Sequence, residues 1–271
     1  MNNTQAKVGG VGIGIRRWWR SGLRTGLALI FLLLGACTES AEQARTPLLV
    51  FAASSLTDGF GQLEKAYEQA HPDVDVKVTY AGSQVLRLQI EQGAAADVYA
   101  SANARHMQAL QRAKLVDDSH IFAHNQPVVI VPTSNPAGLV SFRDLPKAQR
   151  VVIGTENVPI GTYTRRILAQ VGSEFDAAVR TKVVSQENNV RLLRAKVELE
   201  EADAAIVFRT DAQSSKRVTA IEIPTEWNVR ADYMLGKVRG APHGQAAAAF
   251  VAFVATEPAQ AILRQHGFLS P

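Results

Sequence analysis

Between residues 48 and 100 the apolar positions change period repeatedly. Leu48, Leu49, Val50, Phe51 and Ala52 form one uninterrupted apolar run, the length of a strand buried on both faces. Leu56, Phe60, Leu63 and Tyr67 then recur at helical spacing, which predicts a helix over 56–69 with one apolar face. Val74, Val76, Val78 and Tyr80 alternate with Asp75, Lys77 and Thr79, the period of a half-buried strand. A helix over 85–92 stops at Gly93, and 97–100 supplies another short strand. Strand, helix, strand, helix, strand predicts parallel pairing, because parallel neighbours need a crossover of roughly a dozen residues.

The rhythm returns further on. Strands over 128–131, 151–153 and 204–208 are interleaved with helices over 163–171 and 190–198. Helices over 245–255 and 258–266 have no strand after them and are expected to pack on a lobe already formed. No internal repeat marks a duplication. The expectation is an α/β protein of two doubly wound lobes.

Ahead of this pattern lies a segment of a different kind. A basic stretch over 16–24 precedes an apolar run, Gly26 to Ala36, of 11 residues. That is too short for a membrane-spanning helix and the right length for the apolar part of a signal peptide. It ends in Leu34-Gly35-Ala36-Cys37, and Cys37 is the only cysteine, so no disulfide forms within the chain. Leu-Gly-Ala-Cys resembles the bacterial lipoprotein cleavage box. The resemblance implies that residues 1–36 are a removed signal and that the Cys37 thiol carries a lipid. The alternative is an ordinary secretory signal ahead of a free thiol, which is unusual in an exported protein. Residues 37–46, with Glu39, Glu42 and Arg45, read as a polar tether with a reach of ~15–18 Å as a flexible coil. The glycine-rich tract over 9–14 belongs to the signal and follows no strand, so it is not read as a nucleotide loop.

Composition changes the picture only through charge. The 271-residue chain is 46% hydrophobic and 20% charged, a globular composition, with a net charge of +4. The signal segment holds Lys7, Arg16, Arg17, Arg20 and Arg24 and no acidic residue. Removing those five from the chain's 29 basic residues leaves 24 against 25 acidic ones, a net charge of −1, and nucleic-acid binding loses its support.

Candidate chemistry sits where small polar residues or a Pro-Ile-Gly turn join a strand to a helix. Ser54-Ser55, Gly82-Ser83, the turn Val158-Pro159-Ile160-Gly161 and Asn188-Asn189 all do so. In open α/β sheets such turns lie beyond the carboxyl ends of the strands, where free N–H groups at helix N-termini suit an anion. Each also has an ordinary reading: Ser55 with Asp58 forms a capping box, and Asn189 is a good N-cap. The two readings are compatible, since a hydroxyl both donates and accepts. Other chemistries are weaker. Neither Ser54 nor Ser55 lies in Gly-x-Ser-x-Gly, which counts against a hydrolase built on Ser55. His120 and His124, near Asp117 and Asp118, flank an extended buried stretch that holds the two imidazoles rather far apart, so they are read as ordinary surface histidines and not as a metal site.

The segments Phe51-Ala52-Ala53-Ser54-Ser55-Leu56-Thr57, Gly93 to Ala102 (Gly-Ala-Ala-Ala-Asp-Val-Tyr-Ala-Ser-Ala), Val158 to Tyr163 and Gln265-His266-Gly267-Phe268 resemble the periplasmic molybdate-binding proteins of ABC importers. The likeness runs in order from about Leu48 to Phe268. It implies a type II periplasmic-binding-protein fold, two lobes joined by a hinge with an oxyanion between them. Lobe I is expected over 47–126 plus about 228–271, and lobe II over about 127–227. Family ligand positions fall on the hydroxyl and N–H groups of Ser55 and Ser83 and on the main-chain N–H groups of Ile160 and Val190. A fifth position, a tyrosine in the family, falls here on Phe208, which has no donor and is left as pocket wall, with Thr210 or a water as substitutes for the missing hydroxyl.

The resemblance further implies that the ligand is molybdate or tungstate, with molybdenum present only within the oxyanion, that no cofactor is needed, and that the protein is a monomeric receptor and not an enzyme. Its partners are then the importer's permease and the membrane holding the lipid on Cys37. A receptor for another oxyanion such as sulfate is the alternative.

Overall fold

The structure is a computed structural model that describes residues 45–271; residues 1–44, with the segment expected to be a signal and Cys37, lie outside the described residues. The apolar runs at 48–52, 128–131, 151–153 and 204–208 become internal strands, and the alternating run at 74–80 becomes an edge. The first sheet is built from β1 (Thr46–Ala53), β2 (Val74–Ala81), β3 (Val98–Ser101) and β4 (Val116–Asn125), with α1 (Thr57–Ala70), α2 (Ser83–Glu91) and α3 (Ala104–Arg112) in the connections. A single turn of tighter helix, Ser54–Leu56, leads from β1 into α1. Arg45 and Thr46, expected to end the tether, are docked: Arg45 pairs with Glu68 at 3.1 Å and Thr46 opens β1.

The second sheet follows with β5 (Pro127–Pro132), β6 (Val151–Gly154), α4 (Pro159–Val171), α5 (Ser173–Arg180), β7 (Val183–Glu187), α6 (Val190–Glu198), β8 (Ala204–Phe208), α7 (Arg209–Gln213) and β9 (Val218–Ile221). The chain then returns to the first sheet as β10 (Ala231–Val238) and closes with α8 (Gly244–Val254) and α9 (Glu257–Gln265). The strand orders are β2-β1-β3-β10-β4 and β7-β6-β8-β5-β9. Every residue of β3, β5, β6 and β8 is buried, as two-sided cover requires, whereas β2 at its edge buries only Val74 and Val76 fully.

The parallel expectation holds for half of each sheet. β1 runs parallel to β2 and β3, and β6 to β7 and β8, but β10 is antiparallel to both β3 and β4, and β5 to both β8 and β9. The antiparallel strands are the ones at which the chain passes between lobes: β4 leads to β5 through Gln126 alone, and β9 to β10 through residues 222–230. A chain that crosses to the other sheet re-enters from the opposite end, so its direction is reversed. The aromatic core of the first lobe gathers Phe60, Tyr67, Phe122 and Phe250 in edge or tilted pairs. Among the described residues no single helix is long and apolar enough to cross a membrane.

Candidate functional site

Three helices start at the carboxyl ends of strands and point their first turns into the space between the sheets. The first N–H groups of a helix have no acceptor within it, and at α2, α4 and α6 these belong to Ser83 and its neighbours, to Ile160 behind Pro159, and to Val190. Proline at the first helical position costs nothing there because its missing N–H would be unpaired anyway. The fourth wall is the tight turn Ser54–Leu56 ahead of α1. All four turns singled out from the sequence meet on one cavity of about 10 Å³, lined by Ser54, Ser55, Gly82, Ser83, Ile160 and Val190, with Asn189 and Phe208 completing the wall.

Ser55, Ser83, Ile160, Val190 and Phe208 thus share one chamber, and each is at most 3% exposed. No charged side chain lines it. In this arrangement of the lobes the space holds no more than about one water, so a larger guest needs the walls to move apart. The Ser55 capping box does not form: neither this turn nor α1 has a side-chain cap. Asp58 turns instead to Arg191, and Ser55 Oγ lies 2.8 Å from Tyr233 Oη. Asn189 does cap α6, its side chain accepting from Leu192 N at 3.1 Å. Ser83 Oγ accepts from Ala102 N at 3.1 Å, and the Ser83 carbonyl takes the Tyr99 hydroxyl at 2.8 Å.

Thr210 does not replace the hydroxyl that Phe208 lacks. Its Oγ1 accepts from Asn125 Nδ2 at 2.9 Å and does not line the cavity. Phe208 is a packed wall, edge-on to Tyr233 at 5.5 Å and to Tyr163 at 6.1 Å between ring centroids. Tyr233 and Asn125 went unseen in the sequence. The available signal was the alternation of Ala231, Tyr233 and Leu235, which turns a phenol inward where it needs a partner.

The lobes touch around the cavity. Gln84 Nε2 donates to Asn188 O at 2.7 Å and His106 Nε2 to Asn157 O at 2.8 Å. Burial lowers the His106 pKa, so the ring is neutral with its proton on the nitrogen that faces Asn157. Arg191 of α6 reaches across to Asp58 and to the Ser54 carbonyl at 3.2 Å. Behind it Asp211 is wholly buried. Arg191 Nε is 3.0 Å from Asp211 Oδ1, yet its hydrogen is directed at Ser54, so Asp211 has a charge partner without an aligned hydrogen bond. Burial therefore dominates and pushes the Asp211 pKa up to about 6, against the pull of Arg191 and Arg194. At Asp58 burial also raises the pKa, but the Arg191 hydrogen bond and charge outweigh it and the net shift is downward.

Among the described residues the weaker chemistries lack their machinery. Ser55 faces a phenol whose pKa burial drives far up, not a base that would activate it. Among the described residues no three histidine, cysteine or acidic side chains gather as a metal site, and His124, expected at the surface, is instead buried on β4 and faces Asp232 at 2.8 Å.

The sequence profile of the bacterial extracellular solute-binding proteins matches residues 48–269. The molybdate-binding protein ModA of Mycobacterium tuberculosis is 33% identical over 94% of this chain and 100% of its own length. A Bacillus subtilis protein described as a putative ABC transporter substrate-binding lipoprotein, YvgL, is 30% identical over 88% of this chain and 94% of its own. Among solved structures, the Azotobacter vinelandii periplasmic molybdate-binding protein superposes with a TM-score of 0.74 over 83% of this chain and 99% of its own, at 18% identity, a likeness of fold.

Proposed function

Because this chain belongs to the bacterial extracellular solute-binding proteins, we propose that it is the molybdate receptor of an ABC importer, with tungstate as an equivalent ligand. It is an extracytoplasmic binding protein and not an enzyme. The observation that carries the reading is the lining of the chamber: hydroxyls and helix N-termini, with no charged side chain. Molybdate is a tetrahedral dianion without a proton at neutral pH, so a pocket for it needs donors only. The hydroxyl and N–H groups of Ser55 and Ser83 and the N–H groups of Ile160 and Val190 are that donor set, and Phe208 is a wall. Hydrogen bonds to a charged group contribute about 1.5–3 kcal/mol each. Roughly five or six, less desolvation and lobe closure, leave a submicromolar Kd, about −8 kcal/mol or better. Neutral donors also permit release to the permease, which a fixed arginine would oppose. Sulfate has shorter bonds and reaches donors spaced for a larger anion less well.

The lobes are taken as 47–126 with about 228–271, and about 127–227. The finer parts of the proposal are a lipid on Cys37 that holds a monomeric receptor at the membrane and a permease that accepts its cargo. They are supported by the cleavage box Leu34 to Cys37 and by the relative described as a lipoprotein. Calorimetry with molybdate, tungstate, sulfate and hydrogen phosphate tests the ligand: submicromolar molybdate and tungstate with sulfate at least a hundredfold weaker is expected, and sulfate binding as tight as molybdate overturns it. Labelled fatty acid should be incorporated into the wild type and not into Cys37→Ser; equal labelling rules out the anchor.

A further inference from the structure

A buried phenol has to place its proton. Tyr233 is 0% exposed, and its hydroxyl has two polar neighbours, Ser55 Oγ at 2.8 Å and Asn125 Nδ2 at 3.4 Å. The Asn125 amide is fixed from its other end. Its Oδ1 accepts from Gln126 N at 2.9 Å, and its Nδ2 donates to Thr210 Oγ1 at 2.9 Å. Flipping the amide would lose the Gln126 bond and set two donors face to face. Asn125 therefore turns an N–H toward Tyr233, and the phenol has one acceptor left, Ser55 Oγ. Burial raises the Tyr233 pKa well above its ordinary value, with Asp211 adding to it, so the proton stays on the ring oxygen.

We infer that Tyr233 is a specificity-setting residue: oriented by Asn125, its hydroxyl fills a lone pair of Ser55 Oγ and compels Ser55 to turn its own proton into the cavity. The inference rests on reading that cavity as an oxyanion site. Ser83 is set the same way by Ala102 N, which donates to its Oγ. Both serines then meet the guest as donors and neither offers an acceptor. An anion that keeps a proton at neutral pH, such as hydrogen phosphate, has to bury an O–H against another donor, and a fully deprotonated one does not. The phenol thus reaches the site from the first lobe, one layer behind the hydroxyl it orients, beside a Phe208 that carries no donor of its own.

Tyr233→Phe removes the hydroxyl and keeps the ring packed against Phe122, Phe208 and Phe268. Calorimetric titration with molybdate and with hydrogen phosphate, on the wild type, Tyr233→Phe, Ser55→Ala and the double variant, tests the role. Tyr233→Phe should bind molybdate about tenfold more weakly, and its preference for molybdate over hydrogen phosphate should fall further, because Ser55 becomes free to accept. In the Ser55→Ala background the same change should cost less than twofold, since the effect travels through Ser55. Losses that add across the two sites, or that fall equally on both anions, overturn the role of Tyr233, as does unchanged binding. A wild type that binds no oxyanion overturns the reading of the site itself. Should Tyr233→Phe not fold, Asn125→Ala makes the same test, because it lets the phenol turn its lone pair toward Ser55; no change in preference there overturns the inference.

Discussion

Two serines more than twenty residues apart have the same hydrogen-bond logic. Each takes a hydrogen bond from the protein on its oxygen and is left with one proton to give. Ser83→Ala should therefore weaken molybdate binding by about tenfold or more, the worth of one hydrogen bond to a charged group, and should cost some stability because Ala102 N loses its acceptor. Wild-type affinity in that variant would remove Ser83 from the site. Ser55 and Ser83 were legible as candidates because a hydroxyl directly after a strand and before a helix is a local pattern. Tyr233 and Asn125 were not, because their partners lie 178 and 85 residues away in the chain and no spacing rule joins them.

At the scale of elements, period was the dependable guide. Helix 190–198 and strand 204–208 fall where the apolar spacing puts them, whereas α4 begins at Pro159 and not at residue 163, because proline and glycine fill its first turn and hide the period. α3 was missed since its buried face is only His106, Met107 and Leu110. β10 was missed although its burial alternates, because its partners are set by the fold and not by neighbouring sequence. The join between β2 and α2 makes a testable demand. A Cβ on Gly82 would stand 2.4 Å from the Asn188 carbonyl of the other lobe, closer than such atoms come, so the lobes cannot meet there around any larger residue. Gly82→Ala should lower molybdate affinity at least tenfold while leaving each lobe folded. Solution scattering should show that the variant no longer contracts on adding ligand, and full contraction with normal affinity would show that this contact is not part of closure.

For the molecule as a whole, the clasp of Arg191 on Asp58, Ser54 and Asp211 ties the lobes to pH. Asp211 holds its proton up to about pH 6 when folded, against about 3.9 for a free aspartate. Between those values the folded state binds a proton that the unfolded chain has lost, so this contribution to stability is present below about pH 4 and is lost as the pH rises through 6. The full difference is about 3 kcal/mol. Arg191, Arg194 and Asp58 are the charged groups that act on it. Asp211→Asn should accordingly gain on the wild type between pH 4 and pH 7, by up to about that amount in urea unfolding. A gap between the two that does not change with pH would assign the titration elsewhere.

The position of β10 between β3 and β4 also sets an order of assembly. The five strands of the second sheet all lie within residues 127–221, so that sheet can form from one continuous stretch. The first cannot: β4 pairs only with β10 in its sheet, and β3 has one side open until residues 231–238 arrive. A chain synthesised amino end first thus carries an unfinished sheet with two bare edges while its middle folds, and long-range pairing of this kind is slow. Pulsed hydrogen exchange during refolding should find the amides of β6 and β8 protected before those of β4. Simultaneous protection would mean that the two sheets condense as one unit.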